Sequence, residues 1–413
     1  MTVDGDQKVW LRRYQPHVWI NLKLIATLPS LTDSVVEQPL SHPVRFGILT
    51  TYPPTVCGLA TFSAALAKGL TADGAEVSVV RVADGSSSSS ARVVGELIAD
   101  SPASVSAASE LLNQSDVAII QHEYGIYGGV DGDDVVDVIE GLRVPSIVVA
   151  HTVLKEPTAH QRSVLEAVTA AADRVVVMSE AASERLCLTF NVDRRKIVTI
   201  PHGAAVPNNA AVKQAGRPTL LTWGLLGPGK GIERVIGAMG SLAHLSGRPR
   251  YLVAGQTHPK VLVAQGEAYR NGCIEQARRS GLADSVFFDP DYRDVASLSA
   301  LAQSASVVVL PYDSTDQVTS GVLVDAIASG RPVVATAFPH ANELLASGAG
   351  IVVDHSDHEA LAQALRKVIT DPRVAGSMAA EARRLAPTMS WRVVAGAYLH
   401  LAHRVLGERP VFA

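Results

Sequence analysis

The run Thr222-Trp223-Gly224-Leu225-Leu226-Gly227-Pro228-Gly229-Lys230-Gly231 follows a predicted strand and opens a predicted helix. Backbone N–H groups, a helix start and one ammonium thus converge on a spot that suits a phosphate. Gly231 stands where a nucleotide-triphosphate P-loop carries the hydroxyl that holds magnesium, which disfavours a kinase or ATPase. The plain alternative is a glycine turn with a solvated lysine. A second strand-to-helix loop, Tyr52 to Phe62, carries Gly58 where a ligand can approach the backbone closely. Farther along, Gln317 and Asp325 lie eight positions apart, with Ser320 and Gly321 opening a short helix between them. N–H groups there can meet a phosphate while the Asp325 carboxylate accepts from paired ribose hydroxyls.

His151 directly follows the apolar run 146–150, where it can donate to a sugar hydroxyl or stabilise developing charge; a structural histidine is the bland alternative. Gln121-His122-Glu123-Tyr124-Gly125 ends another apolar run, and Glu123 and Tyr124 are candidates for acceptor or sugar recognition, against an ordinary polar loop. His202-Gly203 reads as a hinge. Asp131-Gly132-Asp133 looks like a charge cluster at a helix start, and Asp289-Pro290-Asp291 like a turn stiffened by proline, so neither is taken as a metal site.

To place these groups, the chain offers a series of short Val- and Ile-rich runs separated by helix-length segments. The first series is Val44–Leu49, Val77–Val82, Val117–Gln121, Ser146–Ala150, Val175–Met178 and Ile197–Ile200; the second is Thr219–Trp223, Tyr251–Ala254, Val286–Phe288, Val307–Leu310, Pro332–Ala335 and Gly350–Val353. Continuous apolar runs indicate strands buried on both faces, hence parallel α/β sheets in two similar halves. Open α/β sheets bind ligands at the carboxyl ends of their strands, so two halves packed edge to edge would share a cleft. Ser86–Ser90 reads as a loop tip between the second strand and its helix. Residues 204–218 read as an exposed hinge, and Trp391–Leu406 as one amphipathic helix able to pack on either half.

The chain has 413 residues, 47% hydrophobic and 18% charged, enough for two cored domains and too apolar for disorder. A net charge of −4 lacks the basic excess that binding a nucleic-acid backbone requires. Cys57, Cys187 and Cys273 form no disulfide or zinc spacing, which fits a reducing cytoplasm. Val18 to Leu28 is too short to span a bilayer, while peripheral membrane contact stays open.

Together these motifs resemble family 4 retaining glycosyltransferases of the GT-B fold from about Val44 onward. The resemblance rests on Cys57-Gly58-Leu59-Ala60-Thr61-Phe62, His151, Pro201-His202-Gly203, Lys230, and Gln317 to Val333. It implies two Rossmann-like domains whose parallel sheets face each other across a cleft: 44–205 on the acceptor side and 206–388 on the nucleotide-sugar side. Residues 1–43 would be an unassigned extension, and the helix in 389–413 could cross back. The resemblance further implies a metal-independent transfer of a hexose, glucose or mannose, with retention, from a nucleotide-diphosphate sugar to a saccharide, glycolipid or small-molecule hydroxyl, with no cofactor. His151 would act at the reacting centre, Gly58, Lys230, Ser320 and Gly321 at the diphosphate, and Gln317 and Asp325 at sugar and ribose. Leu225 occupies the family's usual arginine position, Gln317 replaces a glutamate and Asp325 a longer one. Either another basic residue, with Arg293 and Arg331 as candidates, reaches in to replace that charge, or the affinity for the diphosphate falls. A nucleotide-sugar-binding or regulatory protein that has lost turnover is the alternative.

Overall fold

In the computed structural model, residues 42–207 and 216–408 are described, so the expectations for residues 1–41 and for most of the predicted hinge lie outside the described residues. The first sheet holds β1 (Arg45–Thr50), β2 (Glu76–Val82), β3 (Val93–Leu97), β4 (Val117–His122), β5 (Ser146–Ala150), β6 (Arg174–Val177) and β7 (Ile197–Thr199). Its order is β3-β2-β1-β4-β5-β6-β7, with every pairing parallel. The second holds β8 (Thr219–Trp223), β9 (Arg250–Ala254), β10 (Val286–Asp289), β11 (Val307–Leu310), β12 (Val333–Thr336) and β13 (Gly350–Val353) in the order β10-β9-β8-β11-β12-β13, again parallel throughout.

Every residue of β4, β5, β8 and β11 is buried, because helices cover both faces of the sheets. Apolar clusters lie on either side of each sheet. In both sheets the order reverses at a central pair, β1–β4 in the first and β8–β11 in the second, which opens a crevice at their carboxyl ends. The Lys230 and Gly58 loops leave β8 and β1 at these positions.

The strand β3 escapes the apolar-run criterion because Gly95 and Glu96 interrupt it at an exposed sheet edge. The serine run therefore joins β2 to β3 rather than to a helix. It is also bonded rather than idle: Ser86 meets the buried Arg81 through its carbonyl (2.7 Å) and hydroxyl (2.7 Å), and Ser88 Oγ donates to Pro53 O (2.9 Å).

The C-terminal helix Trp391–Glu408 crosses back and buries Val394, Tyr398, Leu401 and Val405 in the first lobe. Val394, Leu401 and Val405 each contribute about 1.5–3 kcal/mol of transfer free energy, whereas the buried, unpartnered hydroxyl of Tyr398 offsets part of its ring's gain. Gly69 makes the close approach possible, since a Cβ there would lie 2.7 Å from that of Ala395. The two crossings are tied together: Ala204 N donates to Met389 O (2.7 Å) and Trp391 N to Ala204 O (3.3 Å). Ala204 is buried, so the start of the expected exposed hinge is a fixed point instead.

Candidate functional site

Arg81, fully buried in β2, organises the first-lobe loop. Its guanidinium donates to Tyr52 O (3.2 Å), Thr55 Oγ1 (3.0 Å) and Glu96 (2.7 Å), and also binds Asp84, whose carboxyl is held well below its usual pKa by Ser86, Thr55 and Arg81 despite desolvation. This network holds Tyr52–Thr55, and Cys57 then caps the helix Gly58–Ala72 by accepting from Ala60 N at 3.3 Å. Gly58 is exposed, and an added Cβ there would meet nothing within 4 Å.

One turn further, Phe62 meets His151 (4.9 Å), His202 (5.0 Å) and Trp391 (5.0 Å) edge-on. His151 Nε2 lies 2.5 Å from Gln121 Oε1, at the end of β4. Burial, aided by His202 and His122, pushes its pKa down to about 3, so the ring is neutral at physiological pH. His202, expected only as a hinge, lies directly opposite the second lobe. Its Nδ1 is 2.7 Å from Gly203 O, and a Cβ on Gly321 would come within 2.8 Å of its Nε2. Burial also holds its pKa down, to about 4.

In the second lobe, loop conformation depends on glycine at Gly231, where φ is +64° and a Cβ would lie 1.8 Å from Pro311 O. Asp313 N donates to Gly229 O (2.9 Å), joining the loops after β8 and β11. The Lys230 ammonium sits 4.7 Å from the Tyr312 ring centroid; among the described residues it has no ion pair, and burial lowers its pKa. Val322, at the start of the helix Gly321–Ala328, lies 3.9 Å from where a Gly224 Cβ would be. The lysine loop and this helix start are therefore neighbours.

Ser320 departs from its expected role. Its hydroxyl caps the helix by accepting from Leu323 N (3.2 Å), and its own N–H donates to His340 Nδ1 (2.9 Å). Buried and committed on both counts, it leaves the N–H groups of Gly321 and Val322 as the donors at that terminus. One turn on, Asp325 is raised to about 7 by desolvation alone. Gln317, eight positions before Asp325, is half-buried, its carbonyl accepting from His340 N (3.3 Å).

Glu123 accepts from Thr152 Oγ1 (2.5 Å), and burial raises its pKa against the lowering effects of Thr152, the Tyr124 N–H and, last, Lys260. Tyr124, by contrast, is packed in the first-lobe core with its hydroxyl buried and unpartnered, so it offers no exposed recognition group. The apolar share of the ring outweighed the polar hydroxyl.

Arg293 is engaged by Asp289, on the edge strand β10. Arg331 precedes β12 at its amino end, where burial and, less, Arg383 lower its pKa, whereas the loops above leave the carboxyl ends. Asp131 and Asp133 both face His160 (3.2 and 3.5 Å). Among the described residues no three His, Cys, Asp or Glu side chains are grouped to hold a metal, and no helix is long and apolar enough to cross a membrane.

The lobes touch directly around this crevice. Ser179 Oγ donates to Val318 O (2.6 Å), Glu343 accepts from Glu180 N (3.0 Å) and Ala181 N (2.9 Å), and Arg185 donates to Asp316 O (2.5 Å). Sequence reasoning missed His340, Tyr312 and Lys260; only the strand-to-helix position of each loop hinted at them.

Comparison with known proteins adds a family context. Residues 56–206 match the model described as Glycosyltransferase Family 4, and residues 208–385 the one described as Glycosyl transferases group 1. A D-inositol 3-phosphate glycosyltransferase of Kineococcus radiotolerans is 27% identical over 263 residues, 58% of this chain and 59% of the relative. One from Corynebacterium urealyticum is 32% identical over 192 residues, 43% of this chain and 44% of the relative. The chain therefore matches less than two thirds of the length of either. Among solved structures, sucrose-phosphate synthase from Thermosynechococcus elongatus aligns with a TM-score of 0.72 at 18% identity, covering 89% of this chain and 100% of that one. Anabaena Alr3699/HepE in complex with UDP-glucose aligns at 0.64 and 17%, covering 86% and 98%.

Proposed function

The chain belongs to glycosyltransferase family 4 and has the GT-B fold, and from that premise we propose that it transfers a hexosyl unit from a nucleotide-diphosphate sugar to a hydroxyl acceptor, with retention at the anomeric carbon. The observation that carries the reading is the Lys230 ammonium without an ion pair among the described residues, next to the unfilled N–H groups of Gly321 and Val322. Fixed positive groups of this kind stabilise charge that develops on a leaving diphosphate, without reorganising during the reaction.

In this reading Lys230 and the N–H groups of Gly321 and Val322 hold the diphosphate, and Asp325 and Gln317 take the ribose and the sugar. Gly58 leaves room beside the donor. The neutral His151, held through Nε2 by Gln121, contacts the transferring sugar as a hydrogen-bonding group. Glu123 and Thr152 face the acceptor hydroxyl. Glucose and mannose are the proposed sugars, and no metal is required because cationic and N–H groups meet the diphosphate. The relatives named for D-inositol 3-phosphate put phosphorylated polyols on the acceptor panel beside saccharides and glycolipids.

The test is calorimetric binding of UDP, GDP and their glucose and mannose conjugates, followed by nucleoside-diphosphate release with the acceptor panel. Lys230→Ala is expected to weaken diphosphate binding at least tenfold, and turnover is expected to survive a chelator. Undiminished binding in Lys230→Ala, or turnover abolished by the chelator, would refute the reading.

A further inference from the structure

One ammonium does not offset the charge of a nucleotide diphosphate, and burial lowers the pKa of Lys230 from that of a solvated lysine. Leu225, two residues past the end of β8, supplies an apolar side chain where a second cation would be expected. Arg293 and Arg331 are occupied or misplaced, as described above. A further cation beside the lysine loop is Lys260, for which no ion pair is found among the described residues.

Lys260 lies in the short helix Pro259–Gln265, which leaves β9 beside the lysine loop. The two segments are joined through backbone: Leu226 N donates to Gln256 O (2.8 Å) and His258 N to Leu226 O (2.8 Å). Val261 Cγ2 packs 2.9 Å from where a Gly227 Cβ would stand, so only glycine admits this approach. Burial lowers the pKa of His258, and the charges of Lys260 and Lys230 lower it further, in keeping with the backbone pairing of the two segments. The Lys260 Nζ also reaches the first lobe, 2.9 Å from the place of a Gly125 Cβ. Glu123 feels its charge but makes no ion pair with it within 4.0 Å, and no other carboxylate among the described residues does.

We propose that Lys260 is the second diphosphate-binding cation of this enzyme, replacing from the β9 loop the charge that Leu225 fails to supply. Its reach from the second lobe to Gly125 makes the same ammonium available only where both lobes bound the donor. The inference rests on the nucleotide-sugar reading of the cleft. Lys260 is exposed, so truncation leaves the core intact.

The experiment compares UDP with UMP by calorimetry on the full chain. In wild type both should bind, UDP more tightly. Lys260→Ala should weaken UDP about tenfold or more while leaving UMP and the melting temperature unchanged, because the lost contact is to the β-phosphate. Adding Leu225→Arg to Lys260→Ala should restore UDP affinity. If wild type binds UDP, Lys230→Ala weakens it and Lys260→Ala does not, Lys260 is only a counter-charge for Glu123 and the proposal is overturned. If wild type discriminates no diphosphate from its monophosphate, with GDP and GMP tried alongside, the nucleotide-sugar reading itself falls and takes the inference with it.

Discussion

Asp325→Asn should make the ligand-free protein more stable, and increasingly so as pH rises. Desolvation raises the Asp325 carboxyl to about 7, and no hydrogen bond compensates. The unfolded carboxyl ionises near its ordinary value of 3.8. A raised acid pKa means that the folded state holds the proton more tightly, so stability is fully present below the unfolded pKa and is lost as pH rises toward the folded one. With these two values the loss is about 2 kcal/mol by pH 5 and about 4 kcal/mol by pH 8, an upper bound because the carboxyl is partly exposed. An amide carries no such penalty. The advantage of Asn over Asp should therefore widen by up to about 2–3 kcal/mol between pH 5 and pH 8, read from urea melts of both proteins at both pH values. Taking the difference between variants cancels the shared acid-side effect of the buried histidines. Ligand binding supplies a second readout. If ribose hydroxyls donate to the ionised carboxylate, wild type should release up to about 0.8 proton at pH 6.5 on binding UDP, visible as a buffer-dependent enthalpy, and Asp325→Asn should release none. An Asn advantage equal at pH 5 and pH 8, together with proton-silent binding, would refute the reasoning.

His151→Ala should keep nucleotide binding and reduce transfer by about 10²–10³, the cost of one group that stabilises developing charge; transfer at the wild-type rate would remove His151 from the mechanism. Gly231→Ala should abolish diphosphate binding and lower the melting temperature, because it combines strain at φ +64° with a Cβ 1.8 Å from Pro311 O. An unchanged melting temperature in this variant would show that the loop relaxes without cost.

Most of the architecture was written in the Val and Ile runs, because a strand covered on both faces has to be apolar at every position. Thr219–Trp223, Ser146–Ala150, Val307–Leu310 and Gly350–Val353 are recovered to the residue. The one strand missed, β3, lies at an edge, where one long side is unpaired and Gly95 and Glu96 are tolerated. Site loops were legible for a related reason: glycines that no side chain can replace mark places where backbone meets backbone, as at Gly231. What was not legible depended on direction. Tyr124 and Glu123 are adjacent at the end of β4, yet one ring enters the core while the other side chain stays beside Thr152. Ser320 has the right position, but its N–H is used by His340, twenty residues away, and no local pattern encodes such a pairing.

The crevice divides its charge in a way that single residues do not reveal. Four histidines line or back it, and burial holds each one low: His122 and His202 at about 4, His151 and His340 at about 3. Their rings stay neutral across the physiological range; in the proposed reading His151 and His202 can then orient hydroxyls without drawing a diphosphate away, while His122 is fully buried and His340 is held by Ser320 N–H. Positive charge is left to lysines on the second lobe, and the desolvated carboxyl of Asp325, raised to about 7, is only partly ionised at neutral pH until a ligand offers it donors. A cleft with cationic histidines would bind any anion near Phe62 and obscure the distinction between the lobes. Packing both rings against Phe62 prevents this, because a cation there would lose its water without gaining a counter-ion. The hydrophobic residue thus sets the electrostatics, and the lysines can be selective only because the histidines are not charged.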